Sequence, residues 1–365
     1  MKFINTTKAI CGSALFFSLL SCQEQKQTDH LIIDLSRDSF PEKYTLSNPD
    51  TIQITDALNP NFYYLICDSL VLISNADDAQ DYKCGLYSLT GKLLTELAPK
   101  GSGPTEFVSV SILPPSLDSN LFQIEDAVQH KLWTFNLDSL LKNKTAYKAE
   151  SMILPSSILN YCFLNPDTLI GYNFWHIDDE KYTNHTQALD FYPLHEHETN
   201  KPKQKYDYFV ANVTGGLLFT TNQNNNIWCA DFNKDEIDLY DDSLKIKKRL
   251  VGPDHYKMQY AEVPEGESRT LIFKRSQYFE AYRCFTVTNK HVYLLYSGIN
   301  NVRYDPENLP AVEVLKFDYD GNPLAIYKLD RYMYTISVDS DENYLYGTAC
   351  KSYMDQPDFV RYSLN

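Results

Sequence analysis

Short runs in which apolar and polar residues alternate are separated along the chain by polar clusters, and period-2 alternation around a polar turn marks an antiparallel hairpin. The segments Ile124–Phe135 and Ile227–Tyr240 show the pattern best. Each is a short apolar strand ending in an aspartate, Asp126 or Asp231, followed by a polar turn and an alternating strand that ends in an aromatic residue. Looser copies lead from Leu70–Ser74 to Gly85–Tyr87, from Thr168–Tyr172 to Ala188–Phe191, from Val292–Tyr296 to Val312–Phe317 and from Tyr344–Gly347 to Phe359–Tyr362. These six hairpins recur at steps of about 47 to 65 residues, which fits four-stranded propeller blades with modest insertions.

The flanking segments extend each hairpin. Phe62–Ile66, Val108–Leu113, Ile158–Leu164, Leu217–Thr221, Tyr282–Val287 and Tyr334–Val338 read as inner strands. Thr90-Gly91-Lys92 and Asp320-Gly321-Asn322 read as tight turns that open outer strands, with Asp138-Ser139-Leu140 and Asp242-Ser243-Leu244 at the corresponding places in the second and fourth repeats. No outer strand follows Tyr362, and Thr51-Ile52-Gln53-Ile54-Thr55 has no other partner. The expected fold is therefore all-β: a six-bladed β-propeller of four-stranded antiparallel blades, its ring closed by an N-terminal strand. Closure removes open sheet edges.

Composition supports this reading. With 28 Tyr and 19 Phe, the chain favours half-buried strands. A net charge of −15 without a basic stripe argues against nucleic acid and against broad contact with anionic lipid. Cys67, Cys84, Cys162, Cys229, Cys284 and Cys350 form no CxxC and no Cys/His pair at zinc spacing, so neither metal nor cofactor is expected. They read mainly as buried thiols.

The beginning of the chain changes the picture again. Lys2 and Lys8 precede an apolar run, Ala9 to Leu20, that is too short to span a bilayer. It ends in Leu19-Leu20-Ser21-Cys22, which resembles the lipobox of bacterial lipoproteins. That resemblance implies a signal peptide over residues 1–21, lipidation of Cys22, a tether over 22–44 and the propeller over 45–365. Gln23 at the next position resembles the outer-membrane class. The membrane is then a partner through the lipid anchor, and acyl chains at ~0.8 kcal/mol per buried CH₂ hold firmly.

Further motifs resemble a family. The two best hairpins look like NHL-type repeats. Lys100-Gly101-Ser102-Gly103-Pro104-Thr105-Glu106-Phe107 resembles the G-x-G-P-x-E-F element of the TolB-like six-bladed propeller lipoproteins of Gram-negative bacteria. Val292–Gly298, Val312–Phe317 and Leu345-Tyr346-Gly347 resemble that family's C-terminal half. The resemblance implies a fold and an envelope location but no reaction.

Candidate chemistry is sparse. Gly101-Ser102-Gly103-Pro104 lacks the Gly-Lys-Ser/Thr ending of a phosphate loop and reads as a crossover in which Glu106 accepts backbone N–H bonds. His195-Glu196-His197 places two imidazoles on one side of a strand, but the polar stretch after it reads as an exposed loop. Trp133, Trp175 and Trp228 read as packing rather than as sugar platforms. The insertion Pro253–Ser276 reads as a loop at the ring's rim or a spacer of variable length. Glu106, Asp126 and Asp231 are the candidate binding residues near the axis. The expected role is non-enzymatic binding of a protein, peptide or glycan, or scaffolding; the alternative is a lyase or glycoside hydrolase acting in the axial funnel.

Cys22→Ala is expected to move the protein from the membrane fraction to the soluble fraction on cell fractionation. Retention of the variant in the membrane would overturn the lipid-anchor reading.

Overall fold

The computed structural model describes residues 31–54, 60–75, 81–114, 120–143, 149–154, 158–165, 168–173, 189–193, 216–221, 226–256, 260–265, 268–273, 279–300, 305, 307–352 and 355–364. Successive antiparallel sheets form an all-β propeller. The first sheet runs from its inner to its outer edge as Pro60–Ile66, Leu70–Asn75, Tyr82–Ser88 and Leu93–Pro99. The second comprises Ser111–Ile112, Leu121–Asp126, Lys131–Asn136 and Glu150–Ile153. The third has Ile158–Asn165, Thr168–Asn173 and Leu189–Pro193.

The fourth sheet contains Gly216–Thr220, Ile227–Asp231, Glu236–Tyr240 and Ile246–Val251, and the fifth Phe279–Val287, Val292–Asn300, Glu313–Phe317 and Pro323–Leu329. The last contains Tyr332–Val338, Tyr344–Cys350 and Asp358–Ser363, with Asp50–Thr51 as its fourth strand. Among the described residues, then, five sheets reach four or more strands rather than the expected six, because the third shows three. The insertion after the fourth sheet is a two-stranded hairpin, Tyr260–Glu265 with Ser268–Phe273, and not a bare loop.

Burial follows the alternation. Apolar residues fill the seams between neighbouring sheets: Phe122 and Ile124 meet Leu72, Cys84 and Leu86, while Leu132 and Leu154 meet Leu169 on the other side of the second sheet. Tyr63 and Ile73 of the first sheet meet Tyr346 and Phe359 of the last. The core is thus a series of slabs between sheets, and each sheet needs both neighbours.

The N-terminal segment closes the ring. Asp50–Thr51 pairs antiparallel with Arg361 and Val360, and the Ile52 amide donates to the Phe359 carbonyl at 2.8 Å. The strand is shorter than the expected Thr51–Thr55, with Ile52 and Ile54 turning into the seam between the last and first sheets.

Residues 31–46 differ from the expected tether. Leu31–Asp34 adds to the outer edge of the fourth sheet, parallel to Ile246–Val251, and Glu42–Leu46 adds to the fifth, parallel to Pro323–Leu329. Between them Leu35 and Phe40 are buried, Phe40 edge-on to Phe317 at 5.4 Å. Arg37 clamps the crossing, bonding Asp254 at 2.7 Å and Glu313 at 2.9 Å. Gly252 is needed where the strap passes: φ is +133°, and a Cβ there would run into the Leu35 carbonyl.

The expected turn at Asp138-Ser139-Leu140 is instead the helix Leu137–Asn143. The Asn136 carboxamide accepts the Ser139 amide at 2.9 Å as an N-cap, and Leu137 and Leu140 bury against the second sheet's core.

Phe40→Ala is expected to cost about 3–5 kcal/mol in denaturant unfolding, the range for deleting a buried phenyl group. Tyr44→Ala, which removes a ring stacked on Tyr327 at the exposed edge, is expected to cost under about 1.5 kcal/mol. Equal losses would show that the strap is not packed into the core as described.

Candidate functional site

The inner strands of the sheets enclose an axial cavity of about 680 Å³. Its wall takes Phe62 and Tyr64 from the first sheet, Ser111 and Glu125 from the second, Tyr161 and Phe163 from the third, Leu217 and Phe219 from the fourth, Arg283 and Phe285 from the fifth, and Tyr334 from the last. Side chains at i and i+2 share a face of a strand, which is why Tyr161 and Phe163, or Arg283 and Phe285, arrive together.

The second sheet departs from the others. Its inner strand was expected over Val108–Leu113 but is only Ser111–Ile112, and two residues of the next strand, Gln123 and Glu125, also line the cavity. Val108 and Ser109 are diverted instead to Asp126, whose carboxylate accepts the Val108 amide at 2.8 Å, the Ser109 amide at 3.3 Å and the Ser109 hydroxyl at 3.0 Å. Asp126 also accepts the Val128 and Gln129 amides of its own turn, each at 3.1 Å.

Among the described residues, two charged side chains line the cavity, Glu125 and Arg283. The Arg283 guanidinium bonds the buried Glu280 at 2.6 Å and lies 5.4 Å from the ring centres of both Tyr332 and Tyr334. The Tyr332 hydroxyl donates to the other Glu280 oxygen at 2.9 Å. Glu125 is half-buried at the seam with the third sheet. Burial raises its carboxyl above the usual range, the nearby Tyr161 hydroxyl opposes that shift, and the Asp126 charge adds to it. Among the described residues no cation pairs with Glu125.

The cavity thiols are poor nucleophiles. Burial pushes Cys284 up to about 11 and raises Cys162 as well. Cys67, Cys84, Cys162, Cys229, Cys284 and Cys350 are all unbridged. Among the described residues no group of three or more His, Cys, Asp and Glu side chains is placed to hold a metal ion.

The binding residues named from sequence lie elsewhere. Glu106 accepts the Gly103 amide at 2.8 Å, and a Cβ on Gly101 would collide with its carboxylate, so the G-x-G-P-x-E-F element is a self-locked crossover. Gln129 donates to the Glu106 carbonyl at 3.2 Å, tying that crossover to the Asp126 turn. Asp231 is fully buried and accepts the Asn233 and Lys234 amides at 2.7 and 2.9 Å. None of Glu106, Asp126 and Asp231 lines the cavity; their carboxylates hold turns and crossovers. Trp133 and Trp228 are buried between sheets. Cys22, Trp175, His195 and His197 lie outside the described residues. Sequence reasoning stopped one position from a cavity residue, since Glu125 precedes Asp126.

Asp126→Ala is expected to destabilise the fold by about 1–3 kcal/mol, because it strips the shared acceptor from four part-buried amides. Asp231→Ala should cost a similar amount. Thermal unfolding of both variants measures this, and a loss below about 0.5 kcal/mol would contradict the structural role given to these carboxylates.

Comparison with known proteins follows the same lines. The sequence profile described as TolB-like 6-blade propeller-like matches residues 62–341. A solved member of the DUF4221 family from Bacteroides vulgatus superposes with a TM-score of 0.54 at 13% identity, covering 88% of this chain and 94% of its own. A Bacteroides fragilis protein described as exported gives a TM-score of 0.49 at 14% identity, covering 92% and 99%. No curated protein matches the chain in sequence. The profile match spans most of the chain, and the chain belongs to the TolB-like 6-blade propeller-like family.

Proposed function

We propose that this chain is a lipid-anchored envelope protein whose six-bladed propeller binds a small ligand in its axial cavity and carries out no reaction there. One observation carries the reading: six successive sheets converge on a single cavity of about 680 Å³, the size and aromatic character of a small-molecule site. The three-stranded sheet supplies Tyr161 and Phe163 to the same wall as the others, which supports its assignment as the sixth blade.

A non-enzymatic role is supported by the lining itself. Among the described residues it contains no histidine, its thiols are held protonated by burial, and Glu125 and Arg283 lie on the second and fifth sheets. Paired acid and base groups, or a nucleophile beside its base, are what hydrolysis or elimination needs. The lipobox-like Leu19-Leu20-Ser21-Cys22 supports the envelope location and the anchor.

The test is native mass spectrometry of the protein released gently from its own cells. It is expected to carry a bound small molecule that is absent from Ser111→Trp, which fills the cavity from the short inner strand while leaving thermal unfolding within about 0.5 kcal/mol, as for an exposed site. Release of an empty wild-type protein that also shows no thermal shift with any small molecule would overturn the reading.

A further inference from the structure

The cavity wall holds charged groups that the fold alone does not explain, and this inference rests on the binding role proposed above. Of the two charged residues there, Arg283 already has its counter-ion. Its guanidinium bonds Glu280 at 2.6 Å, and Glu280 is only 2% exposed on its side chain. Glu125 has none. No cation among the described residues pairs with it, and its neighbour Asp126 is a second acid. Among the described residues the wall of the cavity therefore holds an acidic group with no cation beside it.

The surroundings of that group fit a positive ligand. Tyr161 stands close by on the third sheet, and Phe62, Tyr64, Phe163 and Tyr334 share the same wall. Aromatic faces attract cations, most strongly where water is displaced. An acidic chain with a net charge of −15 raises the local concentration of cations as well. Among the described residues an anion would meet a carboxylate with no cation beside it, and a bare metal ion would find no cluster of ligands. Burial gives the same direction, since a carboxyl held above its usual range gains from the arrival of a positive charge.

We infer that the axial cavity takes a small organic cation, an amine with an apolar or aromatic body, whose ammonium group sits on Glu125 and whose body lies against the aromatic wall. That carboxylate reaches the cavity from the second strand of its sheet, where Glu125 lies opposite Ser111 of the short inner strand.

Isothermal titration calorimetry with three matched probes tests this: 2-phenylethylamine, 2-phenylethanol and phenylacetate. The wild-type protein is expected to bind the amine about tenfold more tightly than the alcohol, with phenylacetate the weakest. Glu125→Gln, which keeps the shape of the side chain, is expected to erase the preference for the amine and leave the alcohol unchanged. If all three probes bind alike and Ser111→Trp abolishes them, cavity binding stands and the cation assignment falls. If the amine preference survives in Glu125→Gln, the assignment also falls, because the charge then rests on another group. If no probe binds the wild-type protein at millimolar concentration, the assignment is overturned for this class of ligand, while the native mass measurement still decides the binding role independently.

Discussion

The structure depends on one short ladder. Asp50–Thr51 lies antiparallel to Arg361 and Val360, and it supplies the last sheet with the outer strand that the carboxyl-terminal segment does not provide. A propeller's core lies between its sheets, so an unsealed seam would leave Tyr63, Ile73, Tyr346 and Phe359 facing water. The seam also fixes the spacing of the inner strands, and with it the cavity. Ring closure and the enclosed cavity are therefore linked. The Arg361–Asp50 contact at 2.7 Å is a partly exposed ion pair and contributes little beside the buried apolar faces.

The features legible in the sequence were those written locally. Hairpins such as Ile227–Tyr240 announce themselves through alternation and a polar turn, and the inner strands followed to within a few residues in most sheets. Leu31–Asp34 and Glu42–Leu46 were not legible as strands. Their partners lie hundreds of residues away, and a fifth strand on an outer edge has largely exposed faces, so it needs no strong alternation. The helix Leu137–Asn143 was missed because Asp138-Ser139-Leu140 serves equally as a turn or as a first helical turn. The Asn136 cap decides between them.

The same distinction separates the candidate residues. Asp126 stood out because it ends a clear repeat, and that position does matter, though for holding the crossover from the first sheet to the second. Glu125 carries no motif. Strand alternation sends the two neighbours to opposite faces, one into the fold and one toward the cavity. Its place on the cavity wall is a tertiary feature, set by how the second sheet meets the third, that its own segment does not betray.

The ring-closing strand Asp50–Thr51 has a consequence for how the molecule is made. The residues that seal the ring are synthesised early, while the groups they pair with come from the end of the chain; Asp50 and Arg361 are separated by 311 positions. Contacts so distant in sequence form slowly and late. The nascent polypeptide can build individual hairpins as they emerge, but it cannot lock until its final strand exists. A chain delivered across a membrane in extended form would remain unlocked throughout transit, and it would set only on arrival.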